Sequence, residues 1–454
     1  MSTQEQSGAT AAADTHSPDV VVVGAGTAGC YAAATIARAD YEVVILERKS
    51  EDEAGHIACG DALKGASAFP EAIPREQIEP AFTNTGVDHG RFEIPQEDTV
   101  LEIPVPGELA VIDRWDYGKR IIEGAQDAGA EIHYDTVVQD VTQADDEKGT
   151  VTGVEATNKG ERQTYEAEVV IDAAGSLSVL QDKVDFSNST FDTNVDYSHF
   201  CSAYREIVTV EEPVPWDDAL VFKPTERAAG YLWYFPRTDT EINAGLGFQM
   251  TEEPMQLVDD LKRDLEARPE FQNAEVDDKL GAALPTGGPT TLQFTRATSQ
   301  SATQQVTSTQ PRARHRRRGL RRQVRRRSHR RRYRRRRSER EGLWEYNEHV
   351  MDHFGARYAA LDVYNILSTA VDVDDLMGLL AVMPGEKLAE ASTPGVRVSA
   401  QNSPSRVSTR AMATGEPFSI SIRPNAALTT CSSCTKPTPI IRPRSSTGKR
   451  AATS

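Results

Sequence analysis

The sequence predicts an α/β fold: a parallel dinucleotide-binding sheet with a second, β-rich region further along the chain. Three observations in residues 19–49 carry that prediction. Val20–Val23 is an all-valine run, the pattern of a strand buried on both faces. Gly24-x-Gly26-x-x-Gly29 follows it at once and opens a small-residue helix, Cys30 to Arg38. A second strand, Glu42 to Leu46, ends on Glu47, about 20 positions past the glycines, which completes a βαβ unit.

Each part has a physical task in that unit. Gly24 permits the tight turn, Gly26 lets the backbone approach a pyrophosphate, and Gly29 lets the helix sit close to the sheet. The helix N-terminus offers free N–H groups and a positive dipole end to phosphates. Glu47 can accept hydrogen bonds from a ribose diol. The competing reading is a tight strand-to-helix turn with no ligand.

After Glu47 comes a loop holding His56, Cys59, Gly60 and Asp61. Short strands are expected at Gly90–Ile94 and Val100–Val105, then a helix from Trp115 to Ala128. Glu131–Tyr134 and Val137–Val141 alternate like strands, and Val151–Ala156 and Glu166–Ile171 are expected as a strand pair. Asp172-Ala-Ala-Gly175 closes that unit. A β-rich segment runs from about Phe200 to Phe248 and contains Tyr231-Leu-Trp233-Tyr-Phe235-Pro236. Met255–Arg268 reads as an amphipathic helix, and Gly342–Leu388 as largely helical.

The chain has 454 residues, enough for two or three packed units, and a formal charge of −17. That average hides two regions. Residues 312–340 hold 18 of the 51 basic residues and one acid; the remainder has 33 basic against 67 acidic residues, a net charge near −34. So acidic a surface stays soluble in strong salt, which points to a halophile's cytoplasmic protein; an ordinary acidic enzyme is the plainer alternative. Five cysteines give no disulfide framework, and Cys431-Ser-Ser-Cys434 lacks a second pair, so no metal site is expected. No apolar run is long enough to span a membrane, and residues 1–18 are expected as a disordered tail.

Two windows lose the acidic, periodic character: about 287–337 and about 392–454. The first is Gln/Thr/Ser-rich and then almost pure arginine. One reading is a nucleic-acid arm. The other is a shifted reading frame in G+C-rich DNA. The codons of Ser301–Val306, read one frame over, permit Gly-Asp-Ala-Ala-Gly; extended over residues 289–313 they permit Tyr-Ile-Ala-Val-Gly-Asp-Ala-Ala-Gly-His-Val-Asn-Pro within a longer string. The later window likewise permits an acidic, helix-forming string. The acidity and glycine pattern of the hidden strings favour the shifted frame, so no nucleic-acid partner is expected.

On these residues the chain resembles the geranylgeranyl reductase family of FAD-dependent enzymes, over roughly residues 19–286 and 342–390. The carrying motifs are Gly24-x-Gly26-x-x-Gly29 with Glu47, the Cys59-Gly60 loop, Asp172-Ala-Ala-Gly175, and Tyr231-x-Trp233-x-Phe235-Pro236. The likeness implies a glutathione-reductase-like FAD-binding Rossmann domain with an inserted antiparallel β-sheet substrate domain and a helical C-terminal part. Its boundaries would be 19–190 for the first FAD part, 191–286 for the substrate domain, 287–341 for a displaced third FAD motif, and 342–391 for the helical region. It implies FAD held by Gly24, Gly26, Gly29, Glu47, Arg114, Val138, Asp172 and Gly175, with Cys59 and Gly60 near the isoalloxazine. Cys59 would serve as proton relay or gate on the flavin, or simply pack against FAD as a small loop residue, and Tyr231, Trp233 and Phe235 as walls on a prenyl chain; core packing of that aromatic face stays open as an alternative. The substrate would be an isoprenoid lipid, the electron donor a ferredoxin or NAD(P)H, and membrane contact peripheral. A flavin-dependent monooxygenase or halogenase on the same fold, or an inactive product of the shifted frame, are the other readings.

Overall fold

Val20–Val23 is buried along its whole length, which an all-valine strand requires of a parallel sheet covered on both sides. The computed structural model describes residues 14–285 apart from 65–68, 96–98, 106, 145–149, 176–179, 186–199, 226–229 and 251–255, and also 299–300 and 352. In chain order the elements are β1 (Asp14–His16), β2 (Val20–Val23), α1 (Thr27–Arg38), β3 (Val43–Leu46), β4 (Ala62–Lys64), α2 (Arg75–Ile78), β5 (Phe82–Asn84), β6 (His89–Ile94), β7 (Thr99–Pro104), β8 (Leu109–Ile112) and α3 (Arg114–Asp127). There follow β9 (Glu131–His133), β10 (Thr136–Gln143), β11 (Val151–Asn158), β12 (Glu161–Glu166), β13 (Val169–Asp172) and α4 (Leu180–Lys183). The rest are β14 (Phe200–Thr209), β15 (Ala219–Pro224), β16 (Gly230–Pro236), β17 (Glu241–Gln249), α5 (Leu257–Ala267), β18 (Glu275–Pro285) and β19 (Ser299–Gln300).

The nucleotide-binding sheet has the order β19-β13-β2-β3-β9, with every neighbour parallel. Helices α1 and α3 share its apolar cluster, where Tyr31, Ala33 and Ala34 meet Ile45, Ile121 and Ala125. Small residues on α1 let it lie close to the strands. On the sheet's other side, Val21, Val44 and Leu46 pack against Val138, Val154 and Tyr165 of a four-stranded sheet, β1-β12-β11-β10. A three-stranded antiparallel sheet, β4-β8-β5, completes this region.

The substrate sheet has seven strands in the order β18-β14-β17-β16-β15-β6-β7. Its joints are antiparallel except β15 with β6, which is parallel. The antiparallel insert is therefore a mixed sheet. It also draws two strands from residues 89–104, well before the expected start at 191, because the exposed edge of β15 needs a hydrogen-bonding partner. Helix α5 covers one face, with Leu261 fully buried against Tyr234, Leu246 and Phe248.

Several local expectations change. Residues 14–16, placed in a disordered tail, pair with β12. The partner of β11 is β12, in register from Gly153 with Glu166 to Asn158 with Glu161, and β13 joins the parallel sheet instead. The expected Glu166–Ile171 strand merged two strands because the break at Ala167–Glu168 carries no turn residue. Helix α1 begins at Thr27, three residues before Cys30. Strand β18 has no counterpart in the sequence reading. The expected helices of 342–388 and the window at 392–454 lie outside the described residues.

Candidate active site

At the nucleotide end, Gly24 has φ of +100°, and a Cβ built there would stand 2.6 Å from the carbonyl oxygen of Ala173. A side chain is excluded by conformation and by space. Gly29 is equally constrained: its Cβ would fall 2.0 Å from the Gly24 carbonyl. Gly26 differs, because the space its Cβ would enter is open. The loop therefore packs tightly underneath and presents a bare concavity above. Helix α1 starts from Gly26 with no side-chain cap and no acid in its first turn, so no side chain of its own takes up its leading amides.

Two side chains converge there. Glu47 follows directly on β3 and is buried; its Oε2 accepts from the Ala25 amide at 2.7 Å and its Oε1 from the Lys49 amide at 2.9 Å. Each oxygen keeps a further lone pair. Arg114, the first residue of α3, is buried, and its Nη2 donates to Thr27 Oγ1 at 2.9 Å. Its Nη1 is buried with no hydrogen-bond partner. A buried guanidinium nitrogen left unpaired beside an uncapped helix N-terminus fits an anionic group, and the pyrophosphate of a dinucleotide supplies one. The donor set therefore fits FAD.

Asp172 ends β13 and accepts the Ala174 amide at 3.2 Å, while Gly175 has φ of +79°. This turn lies against Gly24 through Ala173. The Val138 side chain is in the core shared by the two sheets, and its neighbour Val137 is the exposed valine.

At the other end, the Cys59-Gly60-Asp61 turn sits on the aromatic face of β16. A Cβ at Gly60 would lie 3.2 Å from the Phe235 ring and 3.5 Å from the Trp233 ring. Tyr231, Trp233 and Phe235 do share one side of the strand, with ring centroids 6.0 Å and 6.3 Å apart along the row. Trp233 and Phe235 are buried, and Tyr231 is 48 % exposed at the open end. Gly247 and Gly245 lie in register with Tyr231 and Trp233, leaving the neighbouring strand without bulk beside the two rings.

The Cys59 sulfur accepts the Asp61 amide at 3.3 Å. Burial pushes the Cys59 thiol up, the Asp61 charge adds to that, and Arg114 and Arg205 only partly offset it. The thiol keeps its proton. Asp61 is completely buried with φ of +65°, and Arg237 Nε and Nη2 hold its Oδ2 at 2.8 and 2.7 Å. His56 stacks on Trp115 at 4.5 Å and bonds Asp278 Oδ2 at 2.8 Å, which Arg205 Nη1 also meets at 2.7 Å. His56 thus ties the loop to β18. The sequence reading missed Arg237, Arg205 and Asp278, since an arginine or aspartate inside a strand or just past its end carries no motif. It also passed over Asn243, which donates to the Cys59 carbonyl at 2.9 Å. Among the described residues no cluster could hold a metal ion.

Residues 18–205 match the family model described as pyridine nucleotide-disulphide oxidoreductase. The digeranylgeranylglycerophospholipid reductase of Sulfolobus acidocaldarius is 25 % identical over 388 residues, 83 % of this chain and 83 % of its own length. Digeranylgeranylglycerophospholipid reductase 2 of Methanopyrus kandleri is 30 % identical over 288 residues; the match covers 60 % of this chain and 64 % of the relative. The chain is thus similar to digeranylgeranylglycerophospholipid reductases over most of its length. Its fold is shared with a geranylgeranyl bacteriochlorophyll reductase-like protein from Thermoplasma acidophilum, with a TM-score of 0.64, 17 % identity, and coverage of 81 % of this chain and 91 % of that one. FAD is the cofactor that the match and the donor set support, and the chain is an FAD-type oxidoreductase.

Proposed function

We propose that this chain reduces carbon–carbon double bonds of isoprenoid chains, the geranylgeranyl chains of archaeal membrane lipids or their precursors. The observation that carries this reading is the seating of the Cys59-Gly60 turn on the buried Trp233 and Phe235 rings. The names of the two archaeal relatives point to the same substrate class.

An unactivated trisubstituted alkene resists plain hydride attack, because nothing stabilises the carbanion that would form. A proton must arrive first or together with the hydride. FAD, when bound and reduced, supplies the hydride. The chain's residues supply the remainder. Arg114, Glu47, the amides of α1 and the turn at Asp172–Gly175 hold the nucleotide. Tyr231, Trp233 and Phe235 grip an apolar chain and keep water from the reacting carbons. Cys59 carries a proton on Sγ at the turn, which suits a relay or a gate. The electron donor is a ferredoxin or NAD(P)H; the sequence holds no second glycine-rich crossover ending on an acid. The site of action is cytoplasmic, with peripheral contact at a membrane, and no described helix is long and apolar enough to cross one.

The test is anaerobic incubation of the dithionite-reduced holoprotein with a geranylgeranyl ether lipid, followed by mass spectrometry of the lipid. A gain of one hydrogen molecule per double bond is expected. Oxygen uptake driven by an aromatic substrate, with no alkene reduced, would overturn the reading in favour of a monooxygenase or halogenase.

A further inference from the structure

Asn243 is completely buried on β17, in register with Phe235. Its backbone is already placed by the ladders to β16 and β14. Asparagine is a poor strand former, so its side chain needs a separate explanation. That side chain bonds two different parts of the site, and it also lies close enough to Asp61 to offset part of the rise that burial gives that carboxyl. Oδ1 accepts the indole N–H of Trp233 at 2.9 Å, and Nδ2 donates to the Cys59 carbonyl at 2.9 Å. The partners fix the amide's orientation, because an indole nitrogen can only donate and a carbonyl can only accept. No aliphatic residue could serve both, and removing the amide would leave the buried Trp233 indole N–H and the half-buried Cys59 carbonyl without this partner.

We infer that Asn243 is a positioning residue that locks the Cys59 turn to the Trp233 wall through one buried amide. The two motifs lie 174 positions apart in sequence (59 to 233), and this bridge sets their relative geometry. The pairing of Arg237 with Asp61 anchors the far side of the same turn, so the turn stays attached to the sheet when Asn243 is changed. The catalytic meaning of the bridge rests on the alkene-reductase reading; its existence does not.

Two substitutions in the full-length protein separate its halves. Asn243→Ala removes both bonds. Asn243→Asp, nearly isosteric, keeps an acceptor for Trp233, loses the donor to Cys59 and sets a second carboxyl beside the buried Asp61. The first measurement is site-resolved alkylation of Cys59, with Cys30 and Cys201 read in the same digest as internal controls. The second is the indole N–H resonance of Trp233. Both variants should label Cys59 about tenfold faster, the scale of one buried hydrogen bond, with Cys30 and Cys201 unchanged. Asn243→Ala should move the Trp233 resonance upfield, as the loss of its bond to Asn243 requires, whereas Asn243→Asp should keep it hydrogen-bonded and shift it downfield or not at all. In the reduced holoprotein, kcat for alkene reduction should fall while the lipid KM stays within about twofold. Unchanged Cys59 labelling in both variants would overturn the inference. So would parallel acceleration at Cys30 and Cys201, which marks general loosening. A parent protein that reduces no alkene would instead count against the proposed function, since labelling needs neither flavin nor lipid.

Discussion

Arg114 shows how one side chain joins two distant stretches of sequence. It starts α3, bonds Thr27 at the start of α1, and leaves Nη1 buried and unpaired. Arg114→Met should weaken FAD binding by about thirtyfold, the ~2 kcal/mol of a hydrogen bond to a charged group, read by flavin-fluorescence titration. Cys59 tests the opposite quality, chemistry without binding. Its thiol stays protonated because burial outweighs the nearby arginines. Cys59→Ala should leave FAD affinity intact and slow alkene reduction by about 10²-fold or more, the scale of a positioned proton-transfer group. Unchanged turnover in stopped-flow assays would remove Cys59 from the mechanism.

At the scale of elements, α5 is stapled to the substrate sheet by charge as well as by Leu261. Asp264 bonds Lys223 of β15 and Tyr234 of β16, and it pairs with Arg268, whose guanidinium lies 4.1 Å from the Tyr234 ring centroid. Burial alone would raise Asp264, but the hydrogen bonds from Lys223 and Tyr234 and the charges of Lys223 and Arg268 hold it below the usual carboxylate range. Asp278, bonded to His56 and Arg205, is held low in the same way. An acid whose pKa is depressed by folding adds stability above its unfolded value, near 3.9, and loses it as pH falls through the folded value. Thermal stability should therefore drop steeply between about pH 5 and about pH 2, and Asp264→Asn should be less stable at neutral pH with a shallower acid limb. A parallel acid limb in the variant, followed by calorimetry, would rule the staple out.

For the whole molecule, the arginine-rich window decides whether the polypeptide is complete in function. The Sulfolobus match covers too much of the chain to end before that window, so the likeness runs past it. Strand β19 lies beside β13 in the parallel sheet, yet it reads Ser299-Gln300. The codons there overlap those that give Ile-Ala-Val in the shifted frame, the apolar content a parallel strand calls for. The Gly-Asp-Ala-Ala-Gly string that follows would add a loop for the flavin. We expect tryptic and non-tryptic peptides of the natural protein to follow the shifted frame between residues 289 and 337. A sequenced peptide holding Val324 among arginines would establish the written frame.

Periodicity and glycine spacing by themselves determined the first crossover, because a βαβ unit is local: its strand, turn and helix are set by about thirty consecutive residues. The same holds for the shared face of Tyr231, Trp233 and Phe235, which follows from strand alternation alone. Only the tertiary structure could show that β6 and β7 belong to the substrate sheet, that β12 and not β13 pairs with β11, and that Asn243, Arg237 and Thr27 complete the site. Those facts depend on which strand edges and buried polar groups meet across long stretches of chain. Such meetings are fixed by the need to pair every buried donor and acceptor, and that requirement leaves no pattern in the residues on either side.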